Sequence, residues 1–279
     1  MKKCIPWVIL SICFFMVLIS CSSSPRNRLD IYNLRDQAES ALVSGNSEAA
    51  KGNFDLALLL LTEAKRYAIL SDDFSLIARV SLSRGNVLFS LDFTDLAFEE
   101  WEQAISNAVR IGNSELLSVC RIYYARGNLL SGRESPQTVL DTVTRESASL
   151  RTDRLYIAFS WQVRGLALRA MGNYTDAEAA FQRSLDIHNR DGYLENASYD
   201  WYTIASIRSL SGNLTGALTA LETSMALDRR IENSWGLAAS WRAMGDVLTK
   251  AGRHSEAQEA YDRSSLIYAA MGIGFSNEE

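Results

Sequence analysis

The stretch that decides the fold is residues 158–190, AFSWQVRGLALRAMGNYTDAEAAFQRSLDIHNR. Apolar residues, small and large, recur at helical spacing on both sides of Gly172-Asn173; they are Trp161, Gly165, Leu168, Ala177, Phe181 and Leu185. Gly-Asn is typical of a turn, because glycine readily adopts the left-handed backbone that ends a helix. The stretch therefore predicts two helices joined by a tight turn, which form one helical hairpin.

The pattern of this hairpin returns along the chain at intervals of 40 residues. Trp161 is followed by Trp201 and Trp241. Counting by this interval gives six units, residues 38–77, 78–117, 118–157, 158–197, 198–237 and 238–277. In each unit we expect a first helix of about fourteen residues and a longer second helix. Each hairpin is apolar on two faces and must stack on its neighbours, which predicts a solenoid.

Small residues at two positions of the unit have a packing reason. Glycine or alanine at the eighth position and alanine at the twentieth lie where the two helices cross. Only small side chains let the helices approach closely there. Bulky residues at the fourth and twenty-fourth positions fill the space beside the crossing, so we interpret the tryptophans at 40-residue spacing as core residues rather than as a functional stripe.

The third unit departs from this pattern. Gln137 and Asp141 stand where alanine and a large apolar residue are expected. A second helix shifted back by one residue repairs this, with Ser135 as N-cap, Pro136 as the first helical residue and Leu140 as the packing residue. The first helix of this unit also leaves an offset open, because residues 126–128 repeat the Arg-Gly-Asn of residues 84–86.

Unit positions 4, 8, 11, 17, 20, 24 and 27 match the tetratricopeptide repeat, which the chain resembles in a longer, 40-residue variety. The resemblance covers residues 38–277. It implies an all-α fold, a right-handed α-α superhelix of six helical hairpins. It also implies a concave face lined by the first helices and a role in binding proteins or peptides.

The N-terminus resembles the signal sequence of a bacterial lipoprotein. Lys2-Lys3 precede the apolar run Ile5–Leu18, and residues 18–21, Leu-Ile-Ser-Cys, match the lipobox. The resemblance implies cleavage after residue 20, acylation of Cys21 and a lipidated tether over residues 21–28, followed by the solenoid domain at 29–279. Serine after the cysteine favours the outer membrane. The alternative is an ordinary signal peptide or anchor that contains a cysteine.

Composition excludes several classes of function. Without Lys2 and Lys3 the chain has 26 basic and 33 acidic residues, a net charge of −7. No basic stripe accompanies this charge, which argues against nucleic acid as a partner. Cys120 would be the only cysteine left besides Cys21, so we expect no internal disulfide and a small buried side chain at position 120.

Residues that could carry catalysis or hold a metal do not form a recognisable motif. His188 and His254 are the only histidines, and they lie in different units without metal-ligand spacing. The sequence has no nucleophile elbow and no phosphate-binding loop. We therefore predict a protein that is not an enzyme and has neither a metal site nor a cofactor.

In tetratricopeptide proteins, unit positions 2, 5, 9, 12 and 13 face the concave groove. Reading these positions in the last three units gives aromatic residues beside basic ones, the composition of binding hot spots. The candidate binding residues are Phe159, Gln162, Arg169, Tyr199, Tyr202 and Arg242. The alternative is that these aromatic residues pack the helices together and expose only their edges.

The carboxylate clamp known from the family matches only in part. Asn46, Asn86 and Arg126 stand at its ninth positions, but Leu42 and Ile122 replace both of its lysines. We therefore do not predict recognition of chaperone tails.

The function that fits these observations is an envelope-anchored, non-enzymatic adaptor or scaffold that binds a protein or peptide. One alternative is an assembly factor for an outer-membrane or pilus complex; another is an accessory lipoprotein of a solute transporter.

The end of the last helix, expected at 256–271, has an apolar cluster with no further helix to cover it. The cluster consists of Leu266, Ile267, Tyr268 and Met271. We expect this end to dock onto a partner or a second copy of the chain, unless Phe275 folds back over it.

Overall fold

The computed structural model describes residues 33–272, and the regular structure in this range is helical throughout. Its twelve helices are α1 (Leu34–Ala50), α2 (Phe54–Leu70), α3 (Phe74–Ser90), α4 (Thr94–Arg110), α5 (Ser114–Leu130), α6 (Pro136–Ser147), α7 (Arg154–Ala170), α8 (Tyr174–Asp191), α9 (Leu194–Leu210), α10 (Leu214–Arg230), α11 (Ser234–Lys250) and α12 (His254–Ala270). Successive helices pair as hairpins 1 to 6, and each hairpin packs against the next. The prediction of an all-α superhelix is confirmed.

Helix lengths differ from the expectation. Among residues 33–272, all helices have 17 residues except α6, with 12, and α8, with 18. The prediction of a short first helix and a longer second one is therefore wrong.

The polar joint between hairpins supplies the N-cap of the next first helix: the Asp73 and Asn113 side chains accept hydrogen bonds from the backbone N–H groups of Leu76 and Leu116. Each first helix thus begins four residues before the unit start counted from the sequence.

Glycines at the helix crossings pack as the repeat pattern predicts. A Cβ atom added to Gly165 would lie 2.5 Å from the Phe181 ring, closer than packed atoms allow. Three other pairs are arranged in the same way, Gly45 with Leu61, Gly85 with Trp101 and Gly245 with Tyr261. The eighth and twenty-fourth unit positions therefore meet inside one hairpin and set the distance between its helices.

Hairpin 3 has the cap predicted for it. The Ser135 side chain accepts a hydrogen bond from the Thr138 backbone, and Pro136 begins α6. Val139 and Val143 are the buried apolar residues of α6, whereas Leu140 is partly buried between two core clusters. Gly127 does not mark a shifted crossing, because the three atoms nearest to an added Cβ belong to Trp101 and Phe98 of hairpin 2. The short α6 is followed by the loop at residues 148–153.

Buried polar side chains connect the later hairpins. His188 Nδ1 lies 2.7 Å from one Asp200 carboxylate oxygen, and Gln162 donates a 2.7 Å hydrogen bond to the other. All three side chains are buried. Between α9 and α10, Ser198 Oγ donates to the Ser224 carbonyl at 3.1 Å and Ser224 Oγ to the Ser198 carbonyl at 3.0 Å. Hydrogen bonds between helices therefore join hairpins 4 and 5 and the two helices of hairpin 5.

The two ends of the superhelix come into contact. The Phe54 ring of hairpin 1 packs edge-on against Trp235 of hairpin 6, with ring centroids 5.9 Å apart. An added Cβ at Gly52 would lie 3.3 Å from Trp235 Cβ. On its other side Trp235 packs against Tyr268, with centroids 5.4 Å apart. Six hairpins thus complete one turn, and we call the contact of Gly52 and Phe54 with Trp235 the seam.

The apolar cluster expected at the end of the last helix is largely covered. Tyr268 is buried against Trp235, and Ile267 and Met271 are partly buried. Only Leu266 is widely exposed, at 70%. The expectation of four exposed apolar residues is therefore wrong for Tyr268, because the seam lies against it; Phe275 lies outside the described residues.

The predicted signal sequence, Cys21 and the tether also lie outside the described residues. Within residues 33–272, no helix has the length and hydropathy needed to cross a bilayer.

Candidate functional site

A cavity of about 420 Å³ lies on the inner face of the superhelix. Its walls come mainly from the first helices of five successive hairpins, α1, α3, α5, α7 and α9. First helices face inward because each second helix packs on the outside of its hairpin, as is usual in helical solenoids. We call this space the central cavity; its principal lining residues are Asn46, Asn86, Tyr123, Arg126, Phe159, Gln162, Glu195 and Tyr199.

One wall of the central cavity is aromatic. The rings of Tyr123 and Phe159 are stacked, with centroids 4.1 Å apart and planes 23° from parallel. Burial raises the pKa of the Tyr123 hydroxyl above its ordinary value, so this group is neutral at physiological pH. Tyr199 contributes a third ring, which is 39% exposed. Such rings provide flat apolar surfaces for a ligand.

The central cavity also holds charges of both signs. Arg126 is partly buried, and within residues 33–272 no carboxylate forms an ion pair with it. Glu195, at the start of α9, likewise has no ion pair with a described cation. Partial desolvation and the neighbouring Asp228 raise the pKa of the Glu195 carboxyl. Both groups are therefore available to a ligand.

The amides in the cavity include an unsatisfied acceptor. Asn86 Oδ1 is buried and has no hydrogen-bond partner among the described residues. Buried carbonyl oxygens almost always accept a hydrogen bond, since leaving one unpaired costs about 1–3 kcal/mol. Asn46, Asn86 and Arg126, the three residues that match the carboxylate clamp, all line the central cavity.

The structure divides the predicted binding residues between two places. Phe159, Gln162 and Tyr199 line the central cavity, whereas Tyr202 lines a second pocket of about 160 Å³ between hairpins 5 and 6. Arg169 reaches toward this second pocket, where its guanidinium lies 3.3 Å from Ser206 Oγ. Tyr202 nonetheless lies close enough to Tyr199, Arg169 and Arg242 for them to affect the pKa of its hydroxyl, and the shared groove stays a prediction.

Of the remaining candidates, Gln162 is less exposed than its position suggests, and Arg242 lies outside both pockets. Gln162 is only 6% exposed, because its side-chain amide donates its hydrogen bond to the buried Asp200. Arg242 is exposed on α11 and lines neither the central cavity nor the second pocket. The amide of Gln162 is thus engaged in joining hairpins 4 and 5.

Sequence reasoning missed Tyr123, Glu195 and Asn196 as cavity residues. The candidate residues come from the inward-facing positions of the last three units alone, although the same positions in earlier units give Asn46, Asn86 and Arg126. Glu195 and Asn196 precede the counted unit at 198–237, so they belong to the inner face only because α9 begins at residue 194. An earlier helix start, signalled by the polar joints, could have revealed them.

Cys120 and His188, two side chains with catalytic potential, are buried in the described part of the chain. Burial raises the pKa of the Cys120 thiol to about 12, so this cysteine is not a reactive thiolate. His188 is buried against Asp200. Residues 33–272 contain no cluster of three or more His, Cys, Asp or Glu side chains that could hold a metal ion.

The tryptophans at 40-residue spacing pack against the hydrophobic core. Trp161 and Trp241 are half-buried against the core, and each has an arginine of its own hairpin over the ring. The guanidinium of Arg183 lies 4.5 Å from the Trp161 ring centroid, and that of Arg263 lies 4.7 Å from the Trp241 centroid. Cation–π contacts of this kind cover the exposed faces of the rings.

Family models described as tetratricopeptide repeat match residues 160–190 and residues 195–269. These two segments of the chain contain tetratricopeptide repeats. In the rest of the described chain, hairpins 1 to 3 continue the same helical stacking. No curated protein matches the chain.

Several solved structures share the arrangement of these tetratricopeptide repeats. A Rap protein complexed with Competence and Sporulation Factor has a TM-score of 0.63 at 14% identity, covering 85% of this chain and 76% of that one. BtubC (BKLC) from P. vanneervenii has a TM-score of 0.57 at 16% identity, covering 88% and 95%. The Rap conjugation gene regulator of the plasmid pLS20, in complex with the Phr* peptide, has a TM-score of 0.57 at 16% identity, covering 86% and 73%. At these identities the likeness shows the fold alone.

Proposed function

We propose that this chain is a non-enzymatic adaptor of the bacterial envelope that binds a peptide in its central cavity. The observation that carries the proposal is the lining of this cavity, where a stacked pair of rings, an arginine and a glutamate converge from three different hairpins. A concave site with apolar walls and a few convergent polar groups is the usual form of a binding site. Support also comes from the pLS20 regulator, a structure of similar fold that is in complex with the Phr* peptide.

The envelope location rests on the lipobox that ends at Cys21. Acyl chains on this residue would hold the domain at the membrane, with the outer membrane favoured by Ser22. Such a tether raises the local concentration of the adaptor around envelope partners. Cys21→Ser should leave the domain folded but move it from the detergent phase to the aqueous phase in detergent partitioning; a variant that stays in the detergent phase contradicts the lipoprotein assignment.

A second candidate is an accessory lipoprotein of a solute transporter. The volume of the central cavity, about 420 Å³, supports it, because this lies in the range of small-molecule sites. A small ligand that copurifies with the domain would favour this candidate over the peptide adaptor. The remaining alternative, an assembly factor for an outer-membrane or pilus complex, would require a stable stoichiometric complex.

Alanine variants test which part of the inner face binds. Phe159→Ala and Tyr199→Ala in the central cavity should each weaken capture of the partner from crosslinked envelopes by about 2 kcal/mol, as hot-spot rings do. Tyr202→Ala is the matched control, because Tyr202 lies in the second pocket. Thermal unfolding of each variant checks that the fold is retained. Loss of capture in Tyr202→Ala alone would move the site to the second pocket.

A further inference from the structure

Arg126 is the first of two charged groups that the fold leaves available inside the central cavity. Three other arginines that reach a neighbouring helix are paired with a carboxylate: Arg84 with Glu100 at 3.1 Å, Arg121 with Glu146 at 3.5 Å and Arg208 with Glu178 at 2.7 Å. Arg126 has no such partner in residues 33–272, although it is partly buried. A partly desolvated guanidinium is stabilised by a carboxylate, which it binds through two parallel hydrogen bonds.

Glu195 is the second group, and it belongs to a different wall. It borders both the central cavity and a neighbouring cavity beside the seam, whose lining includes Asn46, Lys51 and Asn233. Lys51, the cation in the lining of this neighbouring cavity, pairs with Glu48 at 2.8 Å. No ion pair within 4.0 Å joins Glu195 and Arg126. The cavity therefore presents an anion and a cation at separate places.

The space between these charges suits a small peptide. The stacked rings of Tyr123 and Phe159 and the ring of Tyr199 offer apolar contact to a side chain. Asn46 and Asn86 add side-chain amides to the lining. A cavity of about 420 Å³ accommodates a ligand of small-molecule size rather than a folded domain.

We propose that the ligand of the central cavity is a short free peptide, bound through both termini, with its carboxylate at Arg126 and its ammonium group at Glu195. This rests on the proposed function, because it names the ligand of the same site. A tail that continues into a protein lacks one of the two terminal charges. The site therefore selects short zwitterionic peptides over segments of longer chains.

Isothermal titration calorimetry with blocked peptides tests this directly. The probes are tripeptides of the Ala-Xaa-Ala series, each with free termini, with an acetylated N-terminus, with an amidated C-terminus or with both blocks. The protein is the chain from Ser22 onward, which includes every described residue. Blocking either terminus should weaken binding of the preferred tripeptide at least tenfold, and blocking both should weaken it further.

Two charge variants assign the termini. Arg126→Gln should bind the free acid and the C-terminal amide equally while still discriminating against N-acetylation. Glu195→Gln should show the reverse, with no discrimination at the N-terminus. Lys250→Gln, which removes a cation from the second pocket, is the matched control and should leave all four affinities unchanged.

The outcomes separate this inference from the proposed function. Equal affinity for all four forms of the peptide overturns two-ended recognition but leaves peptide binding intact. If no tripeptide binds while Phe159→Ala still weakens envelope capture, the ligand is a longer segment. The inference then fails, whereas the proposed function stands. If neither assay depends on the central cavity, both fail.

Discussion

Hairpins 1 and 2 and hairpins 4 to 6 share one repeat, but they bury different chemistry at equivalent positions. At the thirty-first position of the unit, the first two hairpins have alanine and the last three have His188, Asp228 and Tyr268. At the twenty-seventh position, the same division separates alanine from serine; the serines are Ser184, Ser224 and Ser264. All of these side chains are buried. These places therefore accept polar as well as apolar side chains, although His188 Nε2 and Asp228 Oδ2 have no hydrogen-bond partner among the described residues.

The difference affects how strictly each region fixes the relative position of its helices. In hairpins 1 and 2, Leu42, Ala68 and Val80 form part of an apolar cluster, in which side chains of similar volume can replace one another. In hairpins 4 and 5, the equivalent residues are Gln162, His188 and Asp200, whose hydrogen bonds require one relative position of the helices. Buried polar groups stabilise a unique arrangement only while every partner is present.

The largest effect is expected where one member of this polar group is removed. Asp200→Val should destabilise the domain by about 3–5 kcal/mol, because His188 and Gln162 would be left buried without their acceptor. Urea unfolding followed by circular dichroism measures the change.

A graft of the N-terminal chemistry sharpens this test. The triple variant Gln162→Leu, His188→Ala and Asp200→Val copies Leu42, Ala68 and Val80 into the interface between hairpins 4 and 5. It should recover most of the lost stability, since replacing all partners leaves no polar group unpaired. A graft that is as unstable as Asp200→Val would show that the two regions differ in geometry and not only in chemistry.

A smaller effect is expected at hairpin 3, which separates the two regions. The Glu115 carboxylate accepts hydrogen bonds from the Thr152 backbone N–H at 2.9 Å, the Arg151 backbone N–H at 2.8 Å and the Thr152 hydroxyl at 2.8 Å. These bonds, the backbone ones first, lower its pKa from 4.5 to about 2. They hold the loop before α7 in place. Glu115→Gln should therefore lower the free energy of unfolding by about 1.5–3 kcal/mol at pH 7.

This contribution depends on pH in a defined direction. Because the folded-state pKa is lowered, the stabilisation is complete above the ordinary value of 4.5 and is lost as the pH falls toward about 2. The difference in unfolding free energy between the parent chain and Glu115→Gln should therefore shrink as the pH falls from about 6 to about 3, although the loss is complete only below the folded-state pKa. A difference that stays constant over this range would mean that the carboxylate does not carry the effect.

The helix crossings provide a third comparison. In hairpin 2 the Trp101 indole lies against both Gly85 and Gly127, and a Cβ added to either glycine would come within 2.4 Å or 2.3 Å of it. Gly85→Ala should cost about 1–3 kcal/mol through overpacking. Hairpin 5 has Ala205 at the equivalent position, so Ala205→Gly should cost only about 1 kcal/mol, from helix propensity. Equal or reversed costs in denaturant unfolding would show that the indole is not confined.

The smallest effect is expected at the seam, where the two regions meet. Phe54→Ala removes the ring that packs on Trp235. The loss of this aromatic pair should lower the free energy of unfolding by about 0.5–1.5 kcal/mol, in addition to the loss from the buried apolar area. Small-angle X-ray scattering should show an increased radius of gyration as the ends separate. Phe93→Ala is the control, because Phe93 stands in the corresponding turn of hairpin 2 and is exposed. An unchanged radius for Phe54→Ala would mean that the ends are held together without this contact.

Local features of the fold could be predicted from the sequence because they depend on residues close together in the chain. The crossing of the two helices in each hairpin follows from Gly165 and Phe181, sixteen residues apart, repeated every 40 residues. The start of α6 follows from Ser135 and Pro136, whose cap is complete within four residues. The change from alanine to histidine at the thirty-first position of hairpin 4 was equally present in the sequence, but only the pairing of His188 with Asp200 explains it.

Only the tertiary structure decided what the inner face looks like. The small rotation from each hairpin to the next accumulates over the whole array, and no single unit encodes its sum. That sum brings Phe54 to Trp235, and it turns Arg126 and Glu195 toward the same cavity while directing Tyr202 into another. The sequence by itself therefore determined the hairpins and their order, whereas the closure of the superhelix determined which of their inward-facing residues share a site.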